Sequence, residues 1–194
     1  MPQEFTWTVQ AVVFVIGVVA LTGIAAWTDT LSRRIPNWLT LPAFAAGWIY
    51  QGVFFGGEGI LNGLAGFALG FGTLFVLWLI GGGGGGDVKL MGALSVWLGF
   101  QYTLYVMVIS TIVVVLGTLG TMFYQVATQG ARRTQEKYLA TGKTDAKGKP
   151  VFQTETLDQK KNRRIMAYAL PVALATWTIM LANLTILKHG PLNP

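Results

Sequence analysis

Cysteine is absent from the 194-residue chain and histidine occurs once, at His189. Thiol catalysis, a Cys/His zinc cluster and a Ser–His triad therefore all lack their parts. The single histidine lies in a KHGP tail at 188–191, where a solvated role is expected. Charge is scarce as well: Asp, Glu, Lys and Arg make up 11% of the chain against 53% hydrophobic residues, and the mean hydropathy is +0.53. A soluble domain with a solvated surface does not have that composition, so the chain reads as an all-α, polytopic membrane protein. The net charge of +6 is local, because residues 125–164 carry ten Lys/Arg against four Asp/Glu and the remainder sums to zero. The tendency of basic residues to stay on the cytoplasmic side explains such a loop better than a nucleic-acid surface does, and no nucleic-acid partner is expected.

Long apolar runs are what the chain does have. Residues 9–27 are long enough to cross a bilayer, and the segment before them carries Glu4 and no Lys or Arg, the wrong start for a cleaved signal peptide. Residues 28–38, TDTLSRRIPNW, read as a short polar connection in which Pro36 discourages helix at Ile35. A second span over about 39–55 ends in GGEG at 56–59, and a third covers 60–80, with Gly63, Gly66 and Gly70 forming a smooth packing stripe. Residues 88–124 are too long for one crossing, and Gly99-Phe100-Gln101 is the expected break between a fourth span (88–99) and a fifth (102–124). The sixth is expected at 165–187, bent at Pro171. Six transmembrane helices from an extracytoplasmic N-terminus put thirteen of the fourteen Lys/Arg on one side, Lys188 being the exception. A single membrane-embedded domain over 1–194, with a basic cytoplasmic loop at about 125–164, is the expected organisation.

Six consecutive glycines at 81–86 precede Asp87 and Lys89 in the most unusual stretch of the chain. Glycine bends sharply and admits close approach, so the run reads as a side-chain-free entrance to a carboxylate beside the membrane, or else as a linker whose Asp87 caps the next helix. Of eight acidic residues, Glu4 and Glu58 fall at the opposite face and four lie in the basic loop. Asp29 and Asp87 remain, both ending spans on the same side. Two carboxylates that face each other share a proton, so one serves as base and the other as acid. Such a pair can take a proton from water and deliver one to a carbonyl or leaving amine, which is peptide hydrolysis without a nucleophilic side chain, a metal or another cofactor. A proton or cation relay uses the same two residues, and Asp29 alone reads equally as a helix cap at the interface.

Asp29 with RRIPN at 33–37, and GGGD with VKL at 84–90, resemble the two signature segments of the type IV prepilin peptidases, members of the GxGD aspartic proteases. LMGALSVWLG at 90–99 and RIMAYALPVALA at 164–175 are similar to two further stretches of that family. The resemblance implies that Asp29 and Asp87 are a catalytic pair, supported by Gly84, Gly86, Lys89, Pro36 and Asn37. It implies a prepilin or pilin-like substrate whose leader is cut at the cytoplasmic face of the bacterial inner membrane, in contact with lipid, in pilus biogenesis or protein secretion. Lys89, Arg33 and Arg34 read as interfacial residues, and Pro36 and Asn37 as shaping the turn after Asp29.

The chain departs from the family in two ways. No Cys-containing region precedes the first span, so it resembles the short form found in tight-adherence pilus systems, without the methyltransferase activity of longer members. Met166-Ala167 stand where the family carries Pro before its final Tyr. A non-catalytic scaffold of a pilus or secretion apparatus and a small proton-coupled transporter are the alternative functions, although no internal repeat supports the transporter. Gly86→Val is expected to damage activity more than stability, and Gly81→Ala to be tolerated.

Overall fold

The computed structural model of the protein describes residues 9–81, 84–129 and 168–185, which form α1 (Val9–Ser32), α2 (Asn37–Leu79), α3 (Gly85–Gln129) and α4 (Ala169–Thr185). No strand occurs among the described residues. The chain divides into two units, 1–113 with 167–194, and 114–166. In the second unit the described part is the helical end of α3, where the Thr121 hydroxyl donates to the Thr118 carbonyl.

A helix that is apolar on every side belongs inside a bundle. Residues 90–99 of α3 meet that condition, being buried without interruption, and they share one core cluster with residues of α1, α2 and α4. The Trp97 indole wedges between neighbours that have no side chain to resist it. A Cβ at Gly17 of α1 would lie 2.6 Å from its ring, and one at Gly47 of α2 would lie 2.9 Å from it. Its Nε1 donates to the Ala43 carbonyl at 2.8 Å. The Gly63, Gly66 and Gly70 stripe of α2 is buried as expected, with Gly66 lying against the backbone of Ser95 and Gly99. α4 packs on α1, where Trp177 Nε1 donates to Thr22 Oγ1 at 3.0 Å.

Three helices are long and apolar enough to cross a membrane, Val9–Ser32, Asn37–Leu79 and Gly85–Thr121, and Ala169–Ala182 is a shorter apolar helix. Four helices stand where six spans are expected, and α2 and α3 are each interrupted by a break. At 43 and 45 residues they would reach about 65 Å if straight, twice a hydrocarbon core of about 30 Å. Gly56 (φ 61, ψ −142) interrupts α2, and Gly99 (φ 68, ψ −174) interrupts α3, both with positive φ, which glycine adopts without steric cost. α2 doubles back across its break, so that a Cβ at Gly59 would stand 2.6 Å from the Gln51 carbonyl. Past Gly99, the Phe100 N–H opens a new helical arm and is satisfied by Asn62 Oδ1 of α2 at 3.0 Å.

Several boundaries differ from expectation, for local reasons. Residues 28–32 are helical, so the connection after the first span shrinks to 33–36. The hydroxyls of Thr28, Thr30 and Ser32 bond the carbonyls four residues back, at 2.7–2.9 Å, and need no water to be satisfied. GGEG is not a loop, since only Gly56 leaves helical geometry. Gly85 and Gly86 are the first residues of α3, and α3 continues to Gln129, into the segment expected as loop. Pro171 is the third residue of α4, where its missing N–H would have had no partner within the helix, so the expected bend has no cause there. The rest of the expected loop, from 130, with residues 165–167, 186–187 and His189, lies outside the described residues.

Candidate active site

Asp29 belongs to the packed face of α1. Ala11, Phe14, Val18, Leu21, Thr22, Ala25 and Asp29 are buried at three- and four-residue spacing, so the helix carries the carboxylate inward in its last turn. α1 then stops abruptly. The Arg33 N–H donates to the Asp29 carbonyl at 2.9 Å, and Arg33 has φ 51, a left-handed closure that usually takes glycine. Pro36, extended at φ −76 and ψ 144, opens α2. The side chain of Asp29 is 3% exposed, and its Oδ2 accepts the backbone N–H of Ala169 at 3.2 Å. Asp29 thus caps a helix, one of the roles its position in the sequence allows, but that helix is α4, 140 residues away.

Asp87 starts the central arm. The Gly84 carbonyl accepts the N–H groups of Asp87 (3.0 Å) and Val88 (3.3 Å), which makes Gly84 the capping residue and Asp87 the third residue of α3 rather than its cap. A carboxylate in the first turn of a helix is favoured by the helix dipole. Asp87 is 8% exposed. The two signature segments meet here. A Cβ at Gly86 would lie 3.5 Å from Ile35, and Lys89 Nζ donates to Asn37 Oδ1 at 2.9 Å. Lys89 is exposed, as an interfacial residue would be, but it also ties α3 to the start of α2. Through that bond Asn37 joins the first signature segment to the second.

A third segment joins these two. The Tyr168 hydroxyl is hydrogen-bonded to the side chain of Ser110 on α3 and lies within electrostatic reach of Asp87, while the next residue, Ala169, holds Asp29. Asp29, Asp87, Lys89, Asn37, Gly86 and Tyr168 therefore share one end of the bundle. Ser110 has no role in the reading of the sequence. Its trace there is the polar and small residues at Thr103 and Ser110 inside an apolar run, spaced with Val106 by three and four, and all three are buried. Among the described residues no group of three or more His, Cys, Asp or Glu gathers as a metal site would require.

The glycines of the run are not equivalent. Gly81 has open space around it but φ +84, so Gly81→Ala is strained by backbone alone, contrary to the expected tolerance. Gly86 is helical, and its added Cβ would make ordinary contact with Ile35. Gly86→Ala should therefore fold like wild type, whereas the branched side chain of Gly86→Val would press on Ile35 beside Asp87. Thermal melting should rank Gly81→Ala below Gly86→Ala by about 1 kcal/mol, and the opposite order would show that the run relaxes around Gly81.

A sequence model of the type IV leader peptidase family matches residues 13–119, more than half of the chain. The match takes in Asp29, Asp87 and the segments that bind Lys89 to Asn37, and it stops before Tyr168 and Ala169. No curated protein sequence and no solved structure matches the chain.

Proposed function

This chain belongs to the type IV leader peptidase family, and from that premise we propose that it is a membrane aspartic endopeptidase whose acid–base pair is Asp29 and Asp87. The observation that carries this reading is two buried carboxylates at one end of the bundle, both touched or faced by the single dipeptide Tyr168-Ala169. The pair holds one proton. The ionised carboxylate takes a proton from a bound water as the water oxygen attacks the scissile carbonyl and the protonated partner gives its proton to the carbonyl oxygen; the first carboxylate then passes the water's proton to the leaving amine as the C–N bond breaks, and a hydroxyl of the collapsing gem-diol returns a proton to the partner. Gly84 and Gly86 leave the approach to Asp87 free of side chains. Lys89, Asn37 and Pro36 keep the two signature segments at a fixed spacing.

The substrate is a prepilin or pilin-like protein, and the cut removes its leader at the cytoplasmic face of the bacterial inner membrane. In this reading the breaks at Gly56 and Gly99 divide α2 and α3 into two membrane-spanning arms each, which with α1 and α4 makes six spans. Lipid covers the outward apolar side chains, among them Ile16, Leu61, Val76 and Leu116, all exposed. Reporter fusions at Gly130 and after Leu192 should then give opposite signals, cytoplasmic for the first, because six spans separate basic and neutral loops. Matching signals would remove the six-span arrangement. The direct test of function is incubation of the purified protein in detergent with a pilin-like substrate. A shortened product on a gel is expected, and an uncut substrate would overturn the proteolytic reading.

A further inference from the structure

We propose that the Tyr168-Ala169 turn is a positioning clamp for the carboxylate pair, an inference that rests on the proteolytic reading. It lies outside the residues matched by the family and follows the basic stretch of sequence at 125–164. The amide of Ala169 can only donate, so Oδ2 of Asp29 is committed as an acceptor and any proton that Asp29 carries is confined to Oδ1. That restriction fixes which oxygen can face water or substrate. Ala169 is fully buried and is the first residue of α4, so the donor is backed by a rigid helix end and adds the positive pole of its dipole. The Val172 N–H donates to the Tyr168 carbonyl at 3.3 Å, which holds the turn itself.

Tyr168 secures the other side. Its hydroxyl is hydrogen-bonded to Ser110, a buried residue on the second arm of α3, and its ring packs against the core. Asp87 stands at the start of the first arm of the same helix and interacts electrostatically with that hydroxyl. One dipeptide therefore holds an oxygen of Asp29 through a backbone bond and places a phenol within electrostatic reach of Asp87. The two carboxylates come from helices α1 and α3, and the clamp comes from α4. A shift of the α4 entrance moves both partners together.

Two substitutions separate the parts. Ala169→Pro removes the N–H and adds a ring that the first position of a helix accepts well, while Ala169→Gly keeps the N–H and serves as the conservative control. Tyr168→Phe keeps the ring and removes the hydroxyl, and it covers the case in which the proline ring crowds the buried site. Ala169→Pro and Tyr168→Phe are each expected to lower kcat about tenfold, leave KM within about twofold and displace the pH optimum, with Ala169→Gly close to wild type. Unchanged kcat and pH optimum in Tyr168→Phe, with wild type active, overturns the clamp. Should wild type itself fail to cleave, the proteolytic reading falls and melting decides the clamp. Asp29→Ala and Ala169→Pro remove two ends of one bond, so a combined loss in Tm smaller than the sum supports it, and an additive loss overturns it.

Discussion

Asp29→Asn and Asp87→Asn are each expected to lower leader cleavage by about 10²- to 10⁴-fold while leaving expression and membrane insertion near wild type. An amide has the shape of the carboxylate but cannot exchange its proton, so either change removes half of the acid–base cycle. The fold should survive. The side-chain oxygen of an asparagine at 29 can still accept the Ala169 N–H that joins α1 to α4. Because both groups serve one transition state, the double variant should be no slower than the worse single one. Cleavage of a prepilin-like substrate, followed by gel shift for the three variants beside wild type, is the measurement. Substantial turnover by either single variant would remove the two-aspartate mechanism and leave a scaffold role standing.

Gly66→Ala is expected to produce the largest loss of stability, about 2–3 kcal/mol, for a reason unrelated to chemistry. The added methyl would stand 2.5 Å from the Ser95 carbonyl oxygen and 2.6 Å from the Gly99 carbonyl carbon. Both are backbone atoms at the break of α3, so no rotamer change relieves the contact. Gly72 sits on the same arm of α2, and a methyl added there would meet nothing within 4 Å. Gly72→Ala should therefore gain about 0.5–1 kcal/mol from helix propensity. Thermal melting of both variants in detergent compares them directly. Equal Tm values would mean that the α2 and α3 arms can separate at Gly66 without cost.

Much of this architecture is readable from local features. The breaks at Gly56 and Gly99 lie within GGEG and GFQ, where glycine offers a positive φ that other residues resist, and Pro36 stops helix before α2. The closely packed stripe at Gly63, Gly66 and Gly70 follows from spacing alone. The two signature segments stand out because charges are rare in so apolar a chain. Boundaries are harder to read. Thr28, Thr30 and Ser32 look like a polar connection, but their hydroxyls return to the α1 backbone, and Pro171 looks like an interior kink until the helix is seen to begin at Ala169.

Composition, periodicity and the positions of glycine and proline decide where this chain is helical and where it turns, because those are effects of a residue on its own backbone and near neighbours. They also single out Asp29 and Asp87, since an apolar sequence leaves few carboxylates to choose from. Which groups surround them is decided only by the tertiary structure. The amide on Asp29 comes from 140 residues away, the amide oxygen on Lys89 from 52, and the hydroxyl on Tyr168 from the middle of an apolar helix. A hydrogen bond between distant segments does not name its partner locally, because a polar residue in an apolar run or a helix end can bond many groups. It exists only once residues of α1, α2 and α4 share one core with the buried arm at 90–99.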